Sequence, residues 1–123
     1  MLSSVKLSFA LPKQLKLTHA EQFAATFRSG KKYSCGFLAL FVKPNDLEHP
    51  RLGVVVSKKA VRKAVARNQI KRLMRESFRL NQHTIGGFDI VAVAYADIKK
   101  FNKTDIRQTL DKQWAKLISS VKP

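Results

Sequence analysis

The chain has little cysteine and no long hydrophobic stretch. Cys35 is the only cysteine among its 123 residues, which excludes an intramolecular disulfide and a zinc site made of several cysteines and fits a reducing, cytoplasmic setting. No apolar run approaches the ~20 residues that a membrane-spanning helix requires, so we expect no membrane span. The N-terminal segment MLSSVKLSFALP has some character of a secretory signal, but Lys6 interrupts it and we expect none.

Acidic residues are also scarce. The chain has 8 Asp and Glu against 24 Lys and Arg, a formal net charge of +16. Such an excess makes a nucleic acid the leading partner, with an anionic membrane surface far behind. The hydrophobic share of 45% indicates a folded protein. The length predicts a single domain over residues 1–123, in which residues 1–14 carry no clear period and could form an ordered or a flexible N-terminal arm.

The groups that a protein nuclease needs are dispersed. His19, His49 and His83 fall at a predicted helix start, in a loop and at a helix end, without a second ligand or acid at a useful spacing. No paired carboxylates occur that could hold two metal ions, and we expect Asp89 and Asp97 to be solvated. We therefore predict no catalytic residue and no metal ligand in the protein.

The most informative segment is Val61 to Gln82, VRKAVARNQIKRLMRESFRLNQ. At about 100° per residue its side chains separate into two arcs. The apolar arc, which we expect to face a core, contains Ala66, Ile70, Leu73, Met74, Ser77, Phe78 and Leu80. The opposite arc contains Asn68, Lys71, Arg72, Arg75 and Arg79, with Arg67 and Gln69 on its two flanks. The sequence therefore predicts a helix with a cationic exposed face.

This positive charge is not balanced locally. No Asp or Glu occurs between Pro50 and Arg75, whereas an ordinary solvated helix alternates the two signs at i,i+4 spacing. A merely soluble basic face is the alternative, but such repulsion is best tolerated when a polyanion neutralises it. The residues predicted to contact phosphates are Lys58, Lys59, Arg62, Arg67, Asn68, Lys71, Arg72 and Arg75.

A short helix and two strands precede this segment. Thr18 and Glu21 have the spacing of a capping box, which predicts a helix over residues 19–28, and Gly30 suits a left-handed cap at its end. Residues 37–42 and 51–57 read as strands. Because only the loop 43–50 separates them, we predict that they pair antiparallel.

A third strand and a last helix follow the basic segment. Residues 88–96 read as a strand after Gly86 and Gly87, and residues 104–121 as a helix capped by Asn102 or Thr104. Its apolar stripe, Ile106, Leu110, Trp114, Leu117, Ile118 and Val121, is predicted to be core. The whole pattern predicts a small α+β sandwich with helices on one sheet.

The segment SKKAVRKAVARNQIKRLMRESFR, set after RLGVVV and before a glycine break, strongly resembles the signature of the bacterial ribonuclease P protein component. LKLTHAEQFAATFRSG is similar to that family's first helix, and FDIVAVA to the strand after its basic helix, so the resemblance covers the chain from Leu15 onward. The family usually has Arg-Asn-Arg where this chain has Arg67-Asn68-Gln69. Gln69 removes one flanking charge, which should weaken phosphate attraction slightly.

The resemblance implies a fold of order αβββαβα on a mixed sheet, like domain 2 of ribosomal protein S5. It adds a short strand near residues 31–34 and puts the basic helix in a left-handed crossover, against the usual right-handed rule. It implies a subunit of ribonuclease P, an endoribonuclease that removes the 5′ leader of precursor tRNA. Its partners would be the catalytic RNA and precursor tRNA, with no protein partner required, and Mg²⁺ would be bound mainly by the RNA, which performs the chemistry.

The resemblance also implies a cleft for the single-stranded leader, lined by aromatic residues. Phe23 and Phe27 lie four apart on the first helix, a spacing that by itself more often indicates core. The family's use of aromatic residues at the matching positions makes them candidates for the cleft, with Tyr33 and Phe37 as weaker ones. The alternative function is a structural RNA-binding protein of ribosomal type, without a role in cleavage.

Overall fold

The computed structural model describes residues 12–95, 98 and 100–121. Within these residues, three helices and four strands follow a 3₁₀ turn at Lys13–Leu15. In chain order they are α1 (Ala20–Ser29), β1 (Lys31–Cys35), β2 (Leu38–Pro44), β3 (Arg51–Val56), α2 (Ala64–Ile85), β4 (Phe88–Ala94) and α3 (Lys103–Val121). The α+β class and the order αβββαβα are confirmed.

The four strands form one mixed sheet in the order β1-β2-β4-β3. β4 pairs antiparallel with β2 and parallel with β3, and α2 connects the two parallel strands. The predicted pairing of β2 with β3 is wrong because β4 lies between them. Three consecutive residues of β4, Ile90, Val91 and Ala92, are completely buried. Consecutive residues point to opposite faces of the sheet, so this pattern suits a central strand that is covered on both faces.

The main core lies between one face of the sheet and helices α2 and α3. Alternate strand residues such as Leu40, Leu52 and Ile90 supply the sheet side, and Met74, Phe78 and Trp114 the helix side. Trp114 is fully buried, as predicted. Helix α1 packs on the opposite face of the sheet, where β2 and β4 lie beneath it. The side chain of Val121, the last residue of the predicted stripe, lies outside the described side chains.

Helix α2 runs from Ala64 to Ile85, while the sequence predicted it from Val61 to Gln82. Residues 57–63 form a separate turn before it, since Ala60 donates its N–H to Ser57 Oγ at 3.1 Å and Val61 to Ser57 O at 3.0 Å. On the predicted apolar arc Met74, Ser77 and Phe78 are buried, but Leu80 is 55% exposed. Leu80 lies at the edge of that arc.

Both ends of α1 differ from the prediction in detail. His19 is the N-cap, and Gln22 Oε1 accepts the N–H groups of Thr18 and His19 at 2.9 and 3.1 Å, so the cap is shifted by one residue from Thr18 and Glu21. Gly30 has extended angles (φ −76°, ψ 152°) rather than left-handed ones. Glycine is needed there because a Cβ would lie 2.3 Å from Thr26 O.

Asp89 is 5% exposed, so the prediction that it is solvated is wrong. Arg51 Nε and Nη2 donate to its two carboxylate oxygens, both at 2.8 Å, and Asn45 Nδ2 donates at 3.1 Å. These donors replace the hydrogen bonds to water that the buried carboxylate has lost, and the hydrogen bond to Asp89 raises the pKa of Arg51.

Asp97 lies outside the described residues, as do residues 1–11 of the predicted N-terminal arm. From Pro12 the chain is attached to the sheet, since Leu17 donates its N–H to Leu52 O at 3.0 Å.

Helix α3 is linked to α2 by side-chain hydrogen bonds around the buried residues Ser77 and Trp114. Trp114 Nε1 donates to Ser77 Oγ at 2.8 Å, and Ser77 Oγ donates to Asp111 Oδ1 at 2.6 Å. These two hydrogen bonds of Ser77 Oγ explain why a polar residue is found at this position of the apolar arc of α2.

Asn102 Oδ1 accepts the N–H of Asp105 at 2.8 Å, which confirms Asn102 as the cap of α3.

Replacing Ser77 by alanine should lower the free energy of unfolding by about 1–3 kcal/mol, because it leaves the buried indole N–H of Trp114 without an acceptor. Chemical denaturation measures the loss. The double variant Ser77→Ala/Trp114→Phe should lose less than the two single losses added together. Additive losses would contradict a direct link between the two side chains.

Candidate nucleic-acid interface

The predicted phosphate contacts lie on one continuous surface, made of the turn at residues 57–63 and the outer side of α2. We call it the cationic surface. Its exposed members are Lys58, Lys59, Arg62, Asn68 and Arg72, while Arg67, Lys71 and Arg75 are half-buried. All eight predicted residues belong to this turn or to the first twelve residues of α2. Charges gathered on one surface act jointly on a polyanion.

Arg67 has a structural contact that the sequence did not indicate. Its Nη1 donates to Val61 O at 3.0 Å and to Arg62 O at 2.8 Å. These bonds hold the turn against the first part of α2. They thereby fix the backbone that carries Lys58, Lys59 and Arg62. The remaining guanidinium donors stay available for a phosphate.

Two arginines further along α2 are less exposed than the helical projection predicted. Partial burial lowers the pKa of the Arg75 guanidinium, which nevertheless stays protonated at neutral pH. Arg79 is half-buried, and its Nε has no hydrogen-bond partner within the part of the chain that the structure describes. The exposed charge of α2 is thus concentrated towards its N-terminal half.

Phe23 and Phe27 lie where α1 crosses the sheet. Phe23 covers Gly53 so closely that a Cβ on this glycine would lie 2.4 Å from Phe23 Cε2. Phe27 is 41% exposed and meets Phe41 edge to face, with ring centroids 4.9 Å apart. Both rings are therefore fixed by the sheet, and Phe27 presents much of its surface to solvent.

An apolar groove of roughly 400 Å³ opens at the carboxyl ends of β3 and β4. Val55 and Val93 contribute to it on the face that carries Gly53, since alternate residues of a strand share a face. Lys59 and Tyr95, which is 37% exposed, also line it. We call this groove, together with Phe23 and Phe27, the sheet cleft. Lys59 belongs to both the sheet cleft and the cationic surface, so the two surfaces adjoin each other.

Tyr33 and Phe37 do not join the sheet cleft. Tyr33 lies opposite Leu40 in the β1–β2 ladder and packs against the main core, on the other face of the sheet. Phe37 is 4% exposed and packs on Phe101, with ring centroids 4.7 Å apart. The expectation of one cleft lined by all four aromatic residues fails because strand alternation directs Tyr33 to the core face.

Sequence comparisons with known proteins point to one family. The family model described as Ribonuclease P matches residues 11–118. The "Ribonuclease P protein component" of Azotobacter vinelandii is 42% identical over 109 residues, which are 88% of this chain and 84% of the relative. That of Haemophilus influenzae is 41% identical over 114 residues, 93% of this chain and 94% of the relative. The chain belongs to the ribonuclease P protein family.

Solved structures of ribonuclease P proteins share the fold. The Staphylococcus aureus RNase P protein has a TM-score of 0.78 at 28% identity, covering 85% of this chain and 97% of that one. The protein from Thermotoga maritima has a TM-score of 0.72 at 28% identity, covering 88% and 98%. Its family membership makes the chain a subunit in tRNA processing, and the alternative of a ribosomal-type structural protein is not favoured.

The sequence did not indicate part of the sheet cleft. Val55, Val93 and Tyr95 come together only because β3 and β4 are parallel neighbours, which the predicted sheet did not include. The one sequence feature that could have indicated this groove was Tyr95, an aromatic residue directly after an apolar strand.

Among the described residues, no helix is long and apolar enough to span a membrane.

Proposed function

We propose that the chain binds the ribonuclease P RNA through the cationic surface and the 5′ leader of precursor tRNA through the sheet cleft. The observation that carries this proposal is the continuity of the two surfaces through Lys59. A protein that holds catalytic RNA on one side and a single strand on the adjoining side can align the substrate with the catalyst. The cytoplasm, where tRNA matures in bacteria, is the proposed location.

The cationic surface suits structured RNA. Arg62 and Arg72 are exposed guanidinium groups that can donate to phosphates in pairs, whereas Lys58 and Lys59 act as mobile point charges. Each phosphate contact releases counterions, which favours binding at low salt. Screening phosphate repulsion in the same way would lower the concentration of Mg²⁺ that cleavage requires.

The sheet cleft suits a single strand of variable sequence. Exposed aromatic faces stack on any base, and the apolar floor of Val55 and Val93 makes no sequence-specific hydrogen bond. Mature tRNA has no leader, so the cleft gives the complex a preference for the precursor. Phe27 and Tyr95 are the most exposed aromatic residues of this surface.

The proposal assigns the chemistry, and the Mg²⁺ that supports it, to the RNA. Two carboxylates of the described chain are already engaged: Asp89 is paired with Arg51, and Glu76 Oε1 accepts from Arg107 Nη1 at 2.6 Å. No group of three or more His, Cys, Asp or Glu that could hold a metal ion occurs in the described part of the chain. The protein contributes binding and alignment.

Replacing Arg72 by alanine should weaken binding of the ribonuclease P RNA, more strongly at low than at high salt. Arg72 is exposed on the cationic surface, so its loss should reduce the slope of log affinity against log salt by about one. Titration of the RNA at several salt concentrations measures this slope. Lys112→Ala, at an exposed position of α3, is the matched control and should leave the slope unchanged. Unchanged affinity of Arg72→Ala at every salt concentration would contradict the assignment.

A further inference from the structure

A second, larger groove lies away from the sheet cleft, between the first half of α2 and the segment that leads into α3. Its volume is roughly 570 Å³, within the approximately 300–1,000 Å³ that is usual for ligand sites. Its floor is apolar and rigid, being formed by the buried residues Val61, Ile70, Ile98 and Ile106. Ala66 and Leu73, on α2, form one wall.

Phe101 forms the opposite wall, and its aromatic ring is placed where it can stack on a ligand. The ring is 42% exposed although it is apolar. One side of it rests on the buried ring of Phe37, with centroids 4.7 Å apart, so its position is fixed. A fixed aromatic ring that is still accessible at the edge of an apolar groove can stack on a second planar ring with little loss of conformational entropy.

The rim of this groove is cationic. Arg62, Lys63 and Lys103 lie around it, and none of them makes an ion pair within residues 12–95, 98 and 100–121. The acidic Asp105 lies in the first turn of α3 but does not line the groove. An apolar floor enclosed by positive charge matches a ligand with a flat apolar body and an anionic attachment.

Two amide side chains complete the rim. Asn102 Oδ1 accepts the N–H of Asp105 at 2.8 Å, which fixes the amide and leaves its Nδ2 as a donor at the groove. Gln69, an exposed residue of α2, lines the groove too. Amides of this kind can hydrogen-bond the edge of a base.

We propose that this groove binds one unpaired nucleobase of the ribonuclease P RNA, stacked on Phe101, with its flanking phosphates on Arg62 and Lys63. The proposal rests on the proposed function, because it requires that the RNA lies on the cationic surface, which Arg62 shares. An apolar peptide would fill the floor equally well but would leave the three rim cations without counter-charge. The charge of the rim therefore selects a nucleotide.

Phe101→Ala tests the stacking surface. It should weaken the affinity for the ribonuclease P RNA by about tenfold, a typical effect of removing one base–aromatic stack. Leu47→Ala is the matched control, because Leu47 is also 42% exposed but lies in the loop between β2 and β3. The control should bind as the unchanged protein does. Phe101→Tyr keeps the ring and should retain the affinity, which separates the loss of stacking from a loss of folding.

The salt dependence and the RNA itself provide two further measurements. Phe101→Ala should leave the slope of log affinity against log salt unchanged, whereas Lys63→Ala should reduce it by about one. Ala66→Leu, which fills the groove from α2, should weaken binding as Phe101→Ala does. Chemical probing of the RNA should find an unpaired nucleotide that is protected by the unchanged protein and reactive with either groove variant.

Equal affinities for Phe101→Ala and Leu47→Ala, with no nucleotide changing its reactivity, would overturn the groove proposal. That result would leave the proposed function standing, provided that the unchanged protein binds the RNA and Arg72→Ala weakens it. If the unchanged protein does not bind the ribonuclease P RNA at all, both proposals fail.

Discussion

Arg51→Ala is expected to lower the free energy of unfolding by about 2–4 kcal/mol, the largest effect on stability among the substitutions considered for this fold. Asp89 is 5% exposed, and two of its three hydrogen bonds come from Arg51. Without the guanidinium, the carboxylate stays buried with Asn45 as its remaining donor among the described residues, at 3.1 Å. The loss is therefore mainly the cost of an unpaired buried charge.

Chemical denaturation of Arg51→Ala and Arg107→Ala makes a matched comparison. The Arg107–Glu76 pair is as short, at 2.6 Å, but its side chains are 34% and 19% exposed, against 23% and 8% for Arg51 and Asp89. Water screens the more exposed pair, so Arg107→Ala should cost about 1 kcal/mol or less. The double variant Arg51→Ala/Asp89→Asn should recover part of the loss of Arg51→Ala. Equal losses for the two single arginine variants would show that burial of Asp89 is not the cause.

Phe23→Ala is expected to have the largest effect on substrate binding, a loss of about tenfold in affinity for leader-bearing precursor tRNA. Affinity of the complex for mature tRNA should stay the same, since mature tRNA has no strand for the sheet cleft. Phe23 lies over Gly53, on the sheet face that also carries Val55 and Val93, so its removal takes an aromatic ring away from this face. Equilibrium binding of both tRNAs to the assembled complex measures the difference.

Two companion variants separate stacking from packing in this experiment. Phe23→Leu keeps an apolar side chain on Gly53 but removes the aromatic face, so it should lose most of the preference for precursor. Gly53→Ala keeps Phe23 but displaces its ring, because the new Cβ would lie 2.4 Å from Cε2; a smaller loss in the same direction follows. Equal losses for precursor and mature tRNA would refute the role of the cleft.

The cationic surface could be predicted from sequence because its information is local. Helix α2 is a single segment with a 3.6-residue period, and the charges from Lys58 to Arg75 belong to it or to the turn beside it. The core stripe of α3 and its Asn102 cap were predictable for the same reason. The family signature lies in this local segment as well.

Properties that depend on strand neighbours could not be predicted. The insertion of β4 between β2 and β3 decides which residues face each other, and a period-2 pattern contains no information on strand order. Asp89 looked solvated because Arg51, its partner, is far away in sequence and is brought beside it by the parallel β3–β4 pairing. The same pairing assembles Val55, Val93 and Tyr95, and strand alternation removes Tyr33 from the cleft.

The central claim is that this protein assists an RNA catalyst and has no cleavage chemistry of its own. It is tested most directly by cleavage of a leader-bearing precursor tRNA at low Mg²⁺, with protein alone, ribonuclease P RNA alone, and the two mixed. The account predicts efficient cleavage only in the mixture. Cleavage by the protein alone, or no stimulation under salt conditions where the protein still binds the RNA, would contradict it.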